Sequence, residues 1–198
     1  MISMLLVESH TAVREAFATA LCVHEDITVV AGASTVREGI NLAWVHQPDV
    51  ALITIQMPTD SGFDLAEQLR TSVPHCRSIM LTALDLPGYM RRAYDQGAWA
   101  YLTTDLPFAE IVNAIRKVHA GKRLIDATMV DHVNKSPLTP RETEVLRTVE
   151  RMGTTSEIAK EMHLSQGTIN NYISSILAKL GVASRVQALI VARNNGWL

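Results

Sequence analysis

Two groups of side chains in this sequence have the types and spacing for chemistry. The first is one carboxylate and four hydroxyls: Glu8, Ser9, Thr54, Thr82 and Thr104, each at or just past the end of a short apolar run. A carboxylate among hydroxyls accepts several hydrogen bonds. It makes a weak Mg²⁺ site, because that ion is held by hard, preferably anionic oxygens. The group is also no ordinary nucleophilic centre. A Thr hydroxyl needs a base to attack, and no His or Asp stands beside Thr54 in the sequence. The second group lies in SQGTINNYISSILAKLG, residues 165–181. Ile169, Ile173, Ile176, Leu177 and Leu180 fall at helical spacing and form a core-facing stripe. Ser165 can cap the helix and Gly181 can end it. The opposite face carries Gly167, Asn170, Asn171, Ser174 and Ser175, small, polar and uncharged. A solvated face is ordinarily rich in Lys and Glu. A face of Asn and Ser suits close approach to groups that need hydrogen bonds, such as base edges.

The elements that position the first group alternate between strand and helix. Apolar runs at 4–7, 27–31, 50–55, 78–81 and 99–102 read as strands. Segments 12–24, 35–46, 62–70, 88–96 and 106–119 read as helices. Five such units predict an α/β fold, a doubly wound five-stranded parallel sheet with helices on both faces. Sites in such sheets form beyond the carboxyl ends of the strands, which is where the first group falls. From Leu138 onward the pattern is all helix. Thr139-Pro140-Arg141-Glu142, Thr154-Thr155-Ser156-Glu157 and Ser184-Arg185-Val186-Gln187 read as capping boxes. With Ser165 they start four helices near 140–151, 155–163, 166–180 and 185–194. The second and third, joined by His163-Leu164-Ser165, make a helix-turn-helix.

Length and composition frame this. The 198 residues suffice for two small domains, and 47% of them are hydrophobic. No apolar run reaches membrane-spanning length and residues 1–7 are too short for a signal peptide, so the expectation is a soluble, cytoplasmic protein with no membrane partner. Residues 1–137 hold 11 Lys/Arg against 15 Asp/Glu, and residues 138–198 hold 7 against 5. The sign change suits an acidic control domain followed by a mildly basic binding domain. Cys22 and Cys76 have no metal-type spacing and read as buried structural thiols. No nucleophile–base pair, phosphate-binding Gly loop or metal-ligand cluster is present, so neither an enzyme nor a cofactor is predicted.

LLVESH, PDVALITIQMPTDSG, IMLTAL and GAWAYLTTDLP resemble a response-regulator receiver domain (flavodoxin-like) in order and spacing over residues 1–120. The Met57-Pro58 and Gly62 turn is the most specific part. LTPRETEVL and SEIAKEMHLSQGTINNYISSILAKLGVASRVQAL resemble a NarL/FixJ (LuxR-type) DNA-binding domain over 138–198, with 121–137 as linker. The resemblance implies a transcription regulator whose third helix of that domain enters the major groove of double-stranded DNA, with the fourth helping to dimerise. It also exposes what the first half lacks. The family's phosphorylation pocket has two acids after the first strand, an acceptor Asp on the third and a Lys after the fifth. Here stand Glu8 with Ser9, Thr54, and Thr104. Only the switch hydroxyl Thr82 and its aromatic partner Tyr101 are as the family has them.

That degenerate pocket excludes ordinary aspartyl phosphorylation at position 54. Three readings of it stay open: a relic in a receiver that only dimerises, a crevice gated by a small-molecule ligand or a partner, or phosphorylation of Thr54 by a Ser/Thr kinase or of Asp60 or Asp85. The expected assembly is a homodimer. The receiver's contacts would come from Val13, Ala16, Phe17 and Ala20 and from Ile111, Val112, Ile115 and Val118; both stripes also read as core, most of these residues must face the sheet, and exposed neighbours such as Arg14 or Arg116 are the alternative. A heterodimer with a phosphorylatable response regulator is the competing assembly. For DNA, Asn170, Asn171 and Ser174 are the base- or phosphate-facing candidates. Lys160, Thr168, Lys179 and Arg185 are the phosphate candidates. No basic residue lies between Gln166 and Ala178, where the family often has one at Asn170. So few cations predict a modest salt dependence, on the order of four to six phosphates per dimer.

Overall fold

The structure is a computed structural model that describes residues 1–58, 61–84, 86–133, 136–195 and 197–198. The chain folds as two compact units. The first is built from residues 1–85 and 90–130, and the main segment of the second runs over 131–198. Asp60 and Asp85, two of the candidate phosphorylation positions, lie outside the described residues.

In the first unit, strands β1 (Ile2–Val7), β2 (Ile27–Ala33), β3 (Val50–Thr54), β4 (Arg77–Thr82) and β5 (Ala100–Thr103) form one parallel sheet in the order β2-β1-β3-β4-β5. Helices α1 (Thr11–Cys22), α2 (Val36–His46), α3 (Gly62–Ser72), α4 (Pro87–Asp95) and α5 (Phe108–His119) alternate with the strands. The central strands are near-continuous apolar runs because helices cover both faces, so no side of the strand meets water. Met4, Leu5, Ala51, Ile53, Ile79 and Met80 are fully buried. The register sets Val7 beside Ile53 and Thr54 beside Leu81, so the carboxyl ends of β1, β3 and β4 lie together. Gly62 keeps this rim open. A Cβ there would stand 2.3 Å from the Thr54 carbonyl oxygen, which no side chain can relieve by rotating.

Three expectations are corrected in this unit. Ile111, Val112, Ile115 and Val118 are at most 2% exposed and pack on β1, β3 and β4 in the core, so they offer nothing to a second subunit. On α1, Phe17 turns inward and stacks near Phe108 at 5.8 Å between ring centroids, while Val13 and Ala16 stay exposed. An apolar stripe at period 3.6 reports a buried face and is silent about what buries it. Cys76 is buried, and burial pushes its thiol up to about 12, but Cys22 is exposed at the end of α1.

The predicted linker starts as part of the first unit. Leu124 donates its N–H to the Trp99 carbonyl, Arg123 donates to the carbonyls of Ala98 and Tyr94, and Ile125 is buried. A short helix α6 (Ala127–Val133) follows.

The second unit contains α7 (Pro140–Arg151), α8 (Thr155–Glu161), α9 (Gln166–Leu180) and α10 (Arg185–Asn194). Val145, Leu146, Ile158, Ile169, Ile173, Ile176, Ala188 and Ala192 make its core. The capping boxes at Thr139–Glu142 and Thr154–Glu157 are reciprocal, as expected. The third is not. Ser184 accepts from the Gln187 N–H, but the Gln187 amide oxygen reaches past it to the Ala183 N–H at 2.9 Å. Gly181 ends α9 at φ +65, and an added methyl would meet nothing within 4 Å. Gly181→Ala therefore costs backbone conformation only. We expect a loss of about 1 kcal/mol in chemical denaturation of this unit.

Candidate functional site

The rim of the sheet brings Glu8, Ser9 and Thr54 together. Thr54 sits at the end of β3 and donates its hydroxyl to Glu8 Oε2 at 2.6 Å. The other oxygen, Oε1, accepts from the His10 backbone N–H at 2.7 Å and lies 2.8 Å from His10 Nδ1. Ser9 Oγ stands 3.4 Å from Glu8 Oε1 and from His10 Nδ1. Burial works to raise the Glu8 pKa, but the hydrogen bonds from the Thr54 hydroxyl and from the His10 N–H and imidazole outweigh it. The carboxyl is held below its usual range. Glu8 is thus an anion whose two oxygens are both engaged within the chain. Arg14, on α1, donates to the Glu8 carbonyl at 2.6 Å.

Beneath these groups is a cavity of about 10 Å³, lined by Leu6, Glu8, Arg14, Phe17, Thr54 and Leu81 among others. That volume suits roughly one water molecule. His10 was not among the sequence candidates, and Arg14 was one only as an exposed neighbour of a dimer face, whereas it is half-buried here. Their signal was position alone: His10 is two residues past Glu8, at the N-cap position of α1, and Arg14 is one helical turn further on.

Thr82 and Tyr101 form a second cluster. Thr82 is fully buried at the end of β4, and its Oγ1 accepts the Leu84 N–H at 3.0 Å. The Tyr101 hydroxyl donates to the Leu84 carbonyl at 2.9 Å. Both residues therefore grip the same backbone, the segment that leads out of β4. Thr104 is exposed past β5 and its N–H donates to the Thr82 carbonyl.

In the helical unit the structure sorts the DNA candidates. Asn170, Asn171 and Ser174 are exposed along α9, with Gln166 and Gly167 ahead of them. Lys160 is exposed on α8. Thr168 is tied to the cap: its Oγ1 lies 2.8 Å from Ser165 Oγ, and its N–H donates to the same atom. Arg185 donates to Thr155 Oγ1 at 2.7 Å, joining the starts of α10 and α8. Lys179 turns back along α9 to Glu142, Nζ to Oε2 at 2.7 Å. Ser175, expected on the open polar face, also turns inward and donates to Glu142 Oε1 at 2.7 Å. Glu142 is 4% exposed. Burial alone would raise its pKa, but the Lys179 ammonium, the Thr139 N–H and the Ser175 hydroxyl lower it to about 2. The recognition-type helix α9 is therefore pinned to α7 by a buried carboxylate, and two polar residues of α9 are spent on that pin.

Among the described residues there is no group of three or more His, Cys, Asp or Glu able to hold a metal ion. No single described helix is long and apolar enough to cross a membrane.

Residues 4–116 match the family model of the response regulator receiver domain, and residues 136–192 that of bacterial regulatory proteins of the luxR family. The chain is 37% identical over 199 residues to the transcriptional regulatory protein DesR of Bacillus subtilis (strain 168), covering 100% of this chain and 99% of that protein. It is 36% identical over 200 residues to the uncharacterized transcriptional regulatory protein YvfU of the same organism, with 100% of both covered. Among solved structures, RcsB from Salmonella enterica serovar Typhimurium, bound to the P1flhDC promoter with the phosphomimetic BeF3-, shares the fold. The TM-score is 0.72 at 22% identity, with 98% of each chain covered.

Proposed function

This chain belongs to the LuxR family of DNA-binding transcriptional response regulators, and from that membership we propose that it acts as a homodimer on DNA without aspartyl phosphorylation of its receiver. The observation that carries the second half is the 2.6 Å hydrogen bond from Thr54 to Glu8. An aspartyl acceptor attacks phosphorus as a carboxylate beside a bound Mg²⁺. Here the residue in the acceptor's place is a hydroxyl donor, and the acid beside it is already satisfied by Thr54 and His10.

The homodimer is supported by α10. Val186 and Ile190, one turn apart, are 66% and 53% exposed. Ile190 also lines a surface concavity of about 400 Å³ with Gly181, Val182, Ala183, Gln187 and Val191. Exposed β-branched side chains beside a groove are what a self-complementary two-fold contact buries. Two copies would place two α9 helices on two half-sites and sum their contacts. Ile190→Asp puts a charge into that contact. We expect at least a tenfold weaker dimer by sedimentation, and weaker DNA retention, with the thermal midpoint unchanged.

The deciding experiment is sedimentation of the untreated full-length protein with and without beryllofluoride and Mg²⁺, each sample also tested on DNA fragments. The expected result is a dimer that binds DNA and ignores beryllofluoride. A monomer that dimerises only with beryllofluoride would place a working acceptor carboxylate elsewhere and overturn phosphorylation-independent control. A monomer in both conditions would overturn the homodimer and point to a missing ligand or partner protein.

A further inference from the structure

Gly167 is a helical glycine for which the fold supplies no reason. Gly167 is the second residue of α9; glycine in a helix gives up more backbone entropy than alanine, a cost that is largest in the interior and smaller in this first turn. At two other helical glycines, Gly39 and Gly62, packing explains it. A Cβ on Gly39 would stand 2.8 Å from Leu65 Cδ2, and one on Gly62 would stand 2.3 Å from a carbonyl oxygen. At Gly97, Gly121 and Gly181 the left-handed backbone explains it. At Gly167 neither applies. Its φ is not in the left-handed region, and the nearest atom to an added Cβ is Ser165 Oγ at 3.7 Å, an ordinary van der Waals distance. The residue is exposed, on the same face of α9 as the exposed Asn170, Asn171 and Ser174, three, four and seven positions on.

We propose that Gly167 is the point where α9 takes a sugar–phosphate strand of duplex DNA directly against its backbone, so that the absent side chain is required by the DNA and not by the fold. The inference rests on the DNA-binding reading above. Its physical basis is the fit of a helix in the major groove. A helix with side chains is about 10–12 Å across, and the groove is about 12 Å wide. Where α9 meets the groove wall, a side chain has no room. A methyl adds about 1.5 Å of bond length. That displacement carries the Asn170 and Asn171 amides beyond hydrogen-bond reach of the base edges. Gly167 thus sets how deep α9 sits, and the two asparagines read only at that depth.

The inference predicts effects of opposite sign on stability and binding. Gly167→Ala and Gly167→Leu, both good helix formers, are made in the full-length protein. The probe is a duplex enriched from random sequence by the parent protein. Both variants are expected to unfold at or above the parent midpoint. Affinity at fixed ionic strength is expected to fall about tenfold for alanine and about a hundredfold for leucine. Parent-like affinity in both variants would overturn the proposal and leave DNA binding intact. Lowered thermal midpoints in both would place the glycine requirement inside the fold and overturn it as well. A parent that enriches no sequence at all would overturn the DNA-binding reading itself, and this inference with it.

Discussion

Replacing Glu142 with alanine is expected to lower the unfolding midpoint of the helical unit by on the order of 10–20 °C, while the α/β unit unfolds as before. Glu142 joins two elements of that unit, the start of α7 and the length of α9. It closes the capping box at the start of α7 through the Thr139 N–H, and it accepts from Ser175 and Lys179 of α9. Removing it strands a half-exposed ammonium and a hydroxyl against an apolar core, and it frees a helix start. Breaking a buried pair by deleting one partner costs several kcal/mol. Because Lys179 is 36% exposed and regains some solvation, the expected cost is about 2–3 kcal/mol. In a unit of this size each kcal/mol moves the midpoint by about 4–8 °C. Differential scanning calorimetry of the full chain reads the two units together, and a shift under about 3 °C would show that the network contributes little.

The same carboxylate sets an acid limit. Its pKa falls from an ordinary 4.5 to about 2 in the folded chain. A depressed carboxylate contributes stability that is fully present above its unfolded pKa and is lost as pH falls through the folded one. The helical unit should therefore lose stability between about pH 4.5 and pH 2, and Glu142→Gln should flatten that part of the profile. Lys179 carries a matching expectation. If its charge is committed to Glu142, Lys179→Met weakens folding but leaves the slope of DNA affinity against salt unchanged. A slope reduced by about one would return Lys179 to the phosphate contacts.

Thr54→Asp is expected to destabilise the α/β unit rather than to restore a phosphorylation site. The new carboxylate replaces a hydroxyl that donates to Glu8 at 2.6 Å, so a hydrogen bond becomes a like-charge contact in a half-buried pocket. Two carboxylates at that distance cannot both ionise freely, and the pair pushes one pKa up. We expect a loss of about 1–3 kcal/mol near neutral pH. The loss should shrink as pH falls, because one acid then protonates. Millimolar Mg²⁺ should recover part of the midpoint in the variant, where two acids face one another, and leave the parent unmoved. Incubation with acetyl phosphate should label neither protein. Labelling becomes expected only when Ser9→Asp and Thr104→Lys are added, which supply the second anionic oxygen for the metal and the cation for the phosphoryl group. Efficient labelling of Thr54→Asp alone would mean that Glu8 and His10 already make a competent metal and phosphate site.

The sequence by itself determined the order of strands and helices, the turn at Gly62, the partners of the four cap hydroxyls in the helical unit, and the threonine at position 54 at the end of β3. These features are local. A period of 2 or 3.6, a capping hydroxyl three residues before its N–H, and the identity of one side chain are all written within a dozen residues. Only the tertiary structure decided where the polar groups spend themselves. Thr54 and Glu8 are 46 positions apart, and Lys179 and Glu142 are 37. No spacing rule reaches that far, so neither the Lys179–Glu142 pair nor the place of His10 beside Glu8 is legible in the sequence. The α5 stripe shows the same limit: Ile111, Val112, Ile115 and Val118 have the pattern of an interface and the burial of a core. Periodicity specifies that a face leaves water. What covers it is a matter of which elements pack, and that is set by the sheet.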